Sequence, residues 1–237
     1  MLVLWAVASQ LTERPQVLPA PWVVAARIWS LAASGELWFH AGMTLFRVLA
    51  SFVIAMAVGI ALGLWMGRFR TADHWLNPAL VIALNIPALV TIVLAYIWIG
   101  LNEVAAITAV ALNKIPVVTV MLREGSRALR PDLDDMASAF RMGRLERLRH
   151  VVLPQLAPYI AGAARAGISL IWKIVLVVEF LGRSNGVGFK IHLLFSSFDV
   201  AGVLAWALAF VAVMLLIDLM ILRPWEARAN RWRRDEA

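Results

Sequence analysis

Five stretches of this chain are apolar over lengths that match the hydrocarbon core of a bilayer, and no other feature limits its possible folds so strongly. A helix needs about 20 predominantly apolar residues to cross that core. Residues 43–67 are apolar except for Thr44, Arg47 and Ser51 near the start, and 78–101 are interrupted by Asn85, Pro87 and Thr91. Residues 104–122 carry Asn113, Lys114 and Pro116, and 201–222 carry Asp218. A fifth, more polar stretch, 160–182, contains Arg165, Lys173 and Glu179. Composition agrees: 62% of the 237 residues are hydrophobic and 16% charged, where a soluble domain carries roughly a quarter charged residues. The expected fold is all-α and membrane-integral, a bundle of five to six transmembrane helices.

The N-terminus fits this pattern least well. Residues 1–11 are apolar but would reach only about 16 Å as a helix. A secretory signal would need a positive leading region, which is absent. The reading adopted is a short or truncated first transmembrane helix whose beginning lies before Met1; a short interfacial helix is the alternative. Residues 1–42 are then an apolar segment plus an outer linker. Its stretch 22–37 is mildly amphipathic and is expected to lie along the outer surface. Residues 43–222 form the membrane domain, and 223–237 a basic tail.

Lysine and arginine placement orients the bundle. Fourteen of the 22 basic residues fall in 68–77, 123–159 and the tail from Arg223; four, Arg14, Arg27, Arg183 and Lys190, fall in the opposite loops. The remaining four, Arg47, Lys114, Arg165 and Lys173, lie within the spans. The rich set is expected in the cytoplasm, with the C-terminus on the same side. The net charge of +7 is therefore a topology signal, and no nucleic-acid partner is expected. With no cysteine, thiol catalysis, disulfides and cysteine-ligated metals are excluded. The histidines, His40, His74, His150 and His192, lack metal-ligand spacing and are expected at the surface. There is no G-x4-G-K-[ST] phosphate loop. The glycine-rich segment 182–190 has the wrong spacing for one and is read as a turn at the outer mouth.

The longest polar loop, 123–159, has a pattern of its own. Asp132, Asp134 and Asp135 mark a helix start, where the helix dipole favours acids. Met136, Ala139, Phe140 and Gly143 follow near one helical face. A second stretch, 144–152, alternates Leu145, Leu148, Val151 and Val152 with charged residues, and Pro154 and Pro158 are expected to end it. Two short amphipathic helices of this kind either dock a soluble partner or simply pack on their own bundle.

This segment resembles the signature of ABC importer permeases, E-A-A-x3-G-x9-I-x-L-P. Asp135, Met136 and Ala137 take the E-A-A positions, Arg141 the glycine, and Val151, Leu153 and Pro154 the I-x-L-P. Arginine departs from a glycine that permits a tight turn; Gly143, two residues on, is the candidate to supply that turn. Other segments resemble the nitrate/sulfonate/taurine type of these permeases. They are Gly35-Glu36-Leu37-Trp38 followed by Thr44-Leu45-Phe46-Arg47, the glycine-spaced 57–67, Asn85-Ile86-Pro87, and Glu179-Phe180-Leu181-Gly182 followed by Asn185-Gly186-Val187-Gly188.

The resemblance, covering about residues 30–234, implies a bacterial inner-membrane permease without enzymatic activity. It would work with a second permease chain, identical to the first, in lipid. Two separate ATPase subunits, holding ATP and Mg, would dock on the loop 132–154, and an extracytoplasmic solute-binding protein would deliver substrate. It also implies a small anionic solute of the sulfonate, nitrate or taurine class, a thiamine-precursor-like heterocycle being the substrate alternative. A stand-alone secondary transporter or channel is the alternative function. Charges inside a membrane are costly and are functional candidates. Lys173 and Lys114, with neighbouring Asn113, are candidates to face the pathway and attract an anion. Otherwise Lys114 snorkels, or either lysine pairs with Glu179, Asp218 or Glu103. For Glu179 itself, gating and structural hydrogen bonding both stand. Arg165 reads as an interfacial anchor.

Overall fold

A computed structural model describes residues 2–12 and 16–222. Met1, Arg14 and the basic tail from Arg223 lie outside the described residues, as do the expectations placed on them. In order, the helices are α1 (Leu2–Leu11), α2 (Pro21–Ala33), α3 (Glu36–Arg68), α4 (Arg70–Asn85), α5 (Ala88–Ile99) and α6 (Glu103–Arg127). They continue with α7 (Pro131–Ala139), α8 (Arg144–Arg147), a π-helical turn (Leu148–Val152), α9 (Leu153–Gly182), α10 (Val187–Ser196) and α11 (Val200–Ile217), which ends in a second π turn (Asp218–Leu222). Among the described residues, four helices are long and apolar enough to cross a membrane, and the bent pair α4–α5 makes a fifth candidate.

Two expected elements differ. The stretch 78–101 is broken: α4 and α5 meet at 99°. Pro87 has no N–H to continue the ladder and its ring drives Ile86 into the extended region (φ −71°, ψ 123°), so the chain turns there. Residues 144–152 are not a separate helix ended by prolines. They lead through the π turn directly into α9, giving one helical run Arg144–Gly182. Pro154 falls in the first turn of α9, right after the Leu153 N–H has reached back to the Leu148 carbonyl. The wider π turn accommodates a ring that a regular α-helix would exclude.

The bundle is built on α6, which runs between α3, α5 and α9. Leu122, Leu156, Ile171, Val175, Val178 and Val118 are fully enclosed around it. On the other flank, α2 and α10 pack on α11 around Trp206 and Phe210. Arg27 Nη2 pairs with Asp199 Oδ2 at 2.5 Å across α2 and the start of α11, and Asp199 Oδ1 in turn accepts the Gly202 N–H at 2.9 Å to cap α11. One end of the bundle gathers Glu36, Glu103 and the turn 183–186. The other gathers Arg68, Arg127 and the hairpin from α7 to α8.

What sets the closeness of α3 to α6 is a glycine at every fourth position. Gly59, Gly63 and Gly67 face Val118, Leu122 and Ser126 in register, and a Cβ at Gly63 would lie 2.7 Å from both the Leu122 Cβ and the Thr119 carbonyl oxygen. Inside a membrane, where helices gain little by hiding apolar surface from lipid, such small residues hold helices together through close backbone approach. Gly63→Ala must therefore push α3 away from a carbonyl that cannot yield. We expect a loss of about 1–3 kcal/mol, read as a lower unfolding midpoint in detergent micelles; an unchanged midpoint would mean that the two helices separate freely.

Candidate functional site

At the end that carries Glu103, three helices place charges in one buried cluster. Arg47, one and a half turns before the middle of α3, is only 1% exposed. Its Nε and Nη2 grip Glu103 Oε2 and Oε1 at 2.8 and 2.6 Å, a bidentate pair. Nη1 donates to Glu179 Oε1 at 2.6 Å and to the Asn185 carbonyl at 3.1 Å, and Nη2 also reaches Asn185 Oδ1. Arg183 adds a second cation on Glu103 at 2.5 Å and donates to the Leu101 carbonyl at 2.8 Å.

Glu179 is wholly buried, and every part of its carboxylate is answered. Oε2 accepts from the Thr44 hydroxyl and from the Gly188 N–H, both at 2.9 Å, while Thr44 Oγ1 accepts the Val187 N–H at 2.9 Å. The carboxylate thus sits at the start of α10, where the helix dipole favours negative charge. The backbone can come this close only because Gly186 and Gly188 lack side chains. Gly186 has φ +106°, and a Cβ there would lie 2.3 Å from the Glu179 carboxyl carbon; one at Gly188 would lie 2.2 Å from the Leu176 carbonyl oxygen. Segment 182–190 is accordingly a turn followed by α10, folded down over Glu179. His40, expected at the surface, is instead buried, and its Nδ1 accepts the Gly186 N–H at 3.0 Å. His74, His150 and His192 are exposed.

Arg47 is the central residue that sequence reasoning passed over. The available signal was that Arg47 and Glu103 lie near the starts of their helices and Glu179 near the end of the oppositely directed α9, so complementary charges meet at one depth.

The candidate pathway residues separate. Lys114 is 2% exposed, wedged between α6 and α9, and its Nζ donates to the Ala166 carbonyl at 3.2 Å. It is buried rather than snorkelling, and both Glu103 and Glu179 are engaged by Arg47 rather than by a lysine. Asn113 beside it is half-buried. Lys173 is exposed, with its Nζ 5.6 Å from the centroid of the Trp172 ring. Arg165, Ser169 and Lys173 are all exposed at four-residue spacing, a polar stripe about 12 Å long on α9. Beside it, α9 and α11 enclose an open cavity of about 530 Å³ lined by Arg165, Ser169, Trp172, Met214 and Asp218.

At the opposite end, α7 folds back on the π turn. Ala137 and Val151 are buried, while Asp135, Met136, Arg141, Gly143 and Leu153 are exposed and Pro154 is half-buried. The turn is not supplied by Gly143. That residue is ordinary extended backbone (φ −64°, ψ 157°) at the start of α8, where its N–H donates to Glu146 Oε2 at 3.1 Å. Arg141 makes the turn, in the left-handed region at φ +52°. Its N–H bonds the Ser138 carbonyl at 3.0 Å and the Met142 N–H bonds that of Ala137 at 2.9 Å, the paired bonds of a Schellman helix end that glycine usually occupies. An L-residue there costs about 1 kcal/mol or more. Across the hairpin Arg147 pairs with Asp134 and holds its carboxyl below the usual carboxylate range.

Residues 59–223 match the family described as binding-protein-dependent transport system inner membrane component. The aliphatic sulfonates transport permease protein SsuC of Escherichia coli is 30% identical over 190 residues, covering 80% of this chain and 72% of that protein. The taurine transport system permease protein TauC of the same organism is 24% identical, over 98% of this chain and 86% of its own. The riboflavin transport system permease protein RibX of Chloroflexus aurantiacus is 28% identical, over 98% and 87%. Among solved structures, an amino acid ABC transporter matches with a TM-score of 0.66 at 20% identity, over 85% of this chain and 98% of that one. The MetNI methionine ABC transporter in inward facing conformations matches at 0.62 and 18%, over 84% and 97%. At these identities the structures speak for the fold.

Glu179 is fully buried and Arg47 is the cation on it, so removing Arg47 leaves a buried charge unpaired, a change that costs about 3–5 kcal/mol. Arg47→Ala is expected to destabilise the protein in micelles by that amount, and Arg47→Lys to recover little of the loss, since a lysine cannot grip Glu103 with two parallel bonds. An Arg47→Ala protein as stable as the wild type would sink the structural role given to this cluster.

Proposed function

We propose, for a chain that belongs to the family of binding-protein-dependent transport system inner membrane components, that it moves a small anion through the membrane and takes its drive from a separate ATPase at the α7–α8 hairpin. The permease role follows from the family. The hairpin's role rests above all on one observation: Phe140 and Leu145 are 75% and 77% exposed at its tip, although Ala137 and Val151 hold the hairpin firmly against the bundle. A fixed support that presents aromatic and aliphatic side chains to water suits docking into a groove.

In this reading the hairpin end faces the cytoplasm, in keeping with the arginine bias. ATP and Mg²⁺ belong to the paired ATPase subunits, and a binding protein delivers solute at the Glu103 end. Two copies of this chain enclose the pathway between them. The continuity of α8, the π turn and α9 gives a mechanical route. When the ATPases close, movement of the hairpin is carried along α9, about 45 Å of helix, to Lys173 and to the cluster around Glu179. Transport then follows from the differential stability of inward- and outward-open states, which ATP binding shifts.

The anionic solute rests on the stripe of Arg165, Ser169 and Lys173. Polar side chains on an exposed helix face within a membrane turn away from lipid toward a partner or a wet cavity, and two of these three are cationic. SsuC and TauC are named for sulfonates and taurine; RibX is named for riboflavin, so a heterocycle is the competing solute.

Co-purification with the ATPase subunit that accompanies this chain tests the docking reading. Phe140→Asp and Leu145→Asp, both at exposed sites, are expected to reduce capture by about tenfold or more while the permease stays folded. Wild-type protein that captures no ATPase, yet drives uptake alone from an ion gradient, would make it a stand-alone transporter. Lys173→Ala is expected to slow vesicle uptake of taurine or an alkyl sulfonate by about tenfold with assembly intact. Unchanged uptake removes Lys173 from the pathway.

A further inference from the structure

We infer that Arg141 is a specificity-determining contact, a cation held at the tip of the hairpin to meet carboxylates on the rim of the ATPase groove. This rests on the docking role proposed above and adds the chemistry of the partner surface. Three observations carry it.

The first is conformational. Arg141 occupies the left-handed position that closes α7, at φ +52°. Glycine would take this position without strain, so the arginine is retained against a backbone penalty. Strain of this kind tends to lie where a side chain has work to do. The conformation also fixes where the side chain leaves the backbone, beside the exposed Phe140.

The second is charge bookkeeping within the hairpin. Asp132 is bound by Arg130 at 2.5 Å, Asp134 by Arg147, and Glu146 by the Gly143 N–H at 3.1 Å. Asp135 remains exposed on the flank of α7. Arg141, Arg144 and Arg149 are exposed and have no carboxylate within ion-pair distance among the described residues. The tip is left with a cationic excess that its own acids do not answer.

The third is the setting. Arg141 and Arg144 lie next to Phe140 and Leu145 respectively, within the six-residue tip 140–145, and all four are exposed. An apolar anchor with charged residues at its border is the usual arrangement of a protein interface, in which the border charges select the partner and speed its approach. The complementary surface is an apolar groove bordered by aspartate or glutamate. A layer of anionic lipid headgroups would also attract the arginines, but it would not need a single side chain fixed beside an aromatic knob.

The variant Arg141→Gly separates this from a purely structural role, because the two effects have opposite signs. Relieving the left-handed strain should raise the unfolding temperature of the permease, by a few degrees at most, while loss of the cation should weaken its affinity for the ATPase by about fivefold. Binding would be measured with full-length permease in nanodiscs and the purified ATPase subunit, at low and at moderate salt. Arg141→Lys should stay close to the wild type. Arg141→Glu should bind more weakly than Arg141→Gly, and the wild-type decline in affinity with added salt should vanish. Arg141→Gly that binds as tightly as the wild type at both salt levels overturns the inference, even though the Phe140→Asp control still fails to bind. So does an effect of Arg141→Glu confined to nanodiscs rich in phosphatidylglycerol, which would assign the arginine to lipid. Wild-type permease that never binds the ATPase would remove the docking reading itself, and this inference with it.

Discussion

The bidentate grip of Arg47 on Glu103, completed by Glu179, is the interaction on which the arrangement of this bundle depends. A lone guanidinium in a low-dielectric interior is prohibitively expensive, and so is a lone carboxylate. Each exists here only because the others are present, on three different helices and the turn after the fifth apolar stretch. Satisfying them leaves little freedom. α3, α6 and α9 must sit at a fixed depth relative to one another, and the loop after α9 must fold inward so that its amides reach Glu179. Gly186 is a consequence of the carboxylate, since a side chain there would occupy its position, and Gly188 of the close approach of α10 to the Leu176 carbonyl.

The opposite end is governed by different physics. The charges around Arg68, Asp73, Arg123 and Arg127 are partly exposed, and pairs of this kind contribute little to stability. What fixes that end is close packing: the glycine ladder of α3 against α6, and the buried Ala137 and Val151 where α7 meets the π turn. The two ends are joined by long helices that can transmit displacement. A buried charge cluster at one end and a firmly seated, water-exposed hairpin at the other suit the role proposed above, in which force would be received at one surface and the pathway opened at another.

The apolar stretches, their number and the charge bias between their ends could be read directly from the residues, because length and composition decide whether a helix can cross a bilayer. The α7–α8 hairpin was visible for a related reason: acids at a helix start and an alternating run after it are local signals. The failures were equally physical. Pro154 and Pro158 were read as terminators because local rules treat proline so, whereas a π turn upstream absorbs the first. Pro87 pointed to a break, but nothing local gave its angle. His40, Lys114 and Arg47 depended on partners 146, 52 and 56 residues away, and no periodicity encodes such meetings. The left-handed residue of the hairpin was assigned to Gly143 on propensity alone; the hydrogen bonds that end α7 place it at Arg141.

The order of the cluster along the chain bears on how the protein is made. Arg47 enters the membrane first, followed 56 residues later by Glu103 and only 132 residues later by Glu179. During synthesis, then, Glu103 is the earliest counter-ion available, and its two parallel bonds already neutralise the arginine before α9 has been translated. α3 and α6 can therefore leave the insertion machinery as a matched parallel pair, closed by glycine contacts along one side and by an ion pair at its end. Glu179 arrives as the last piece, and brings with it the loop that seals it in.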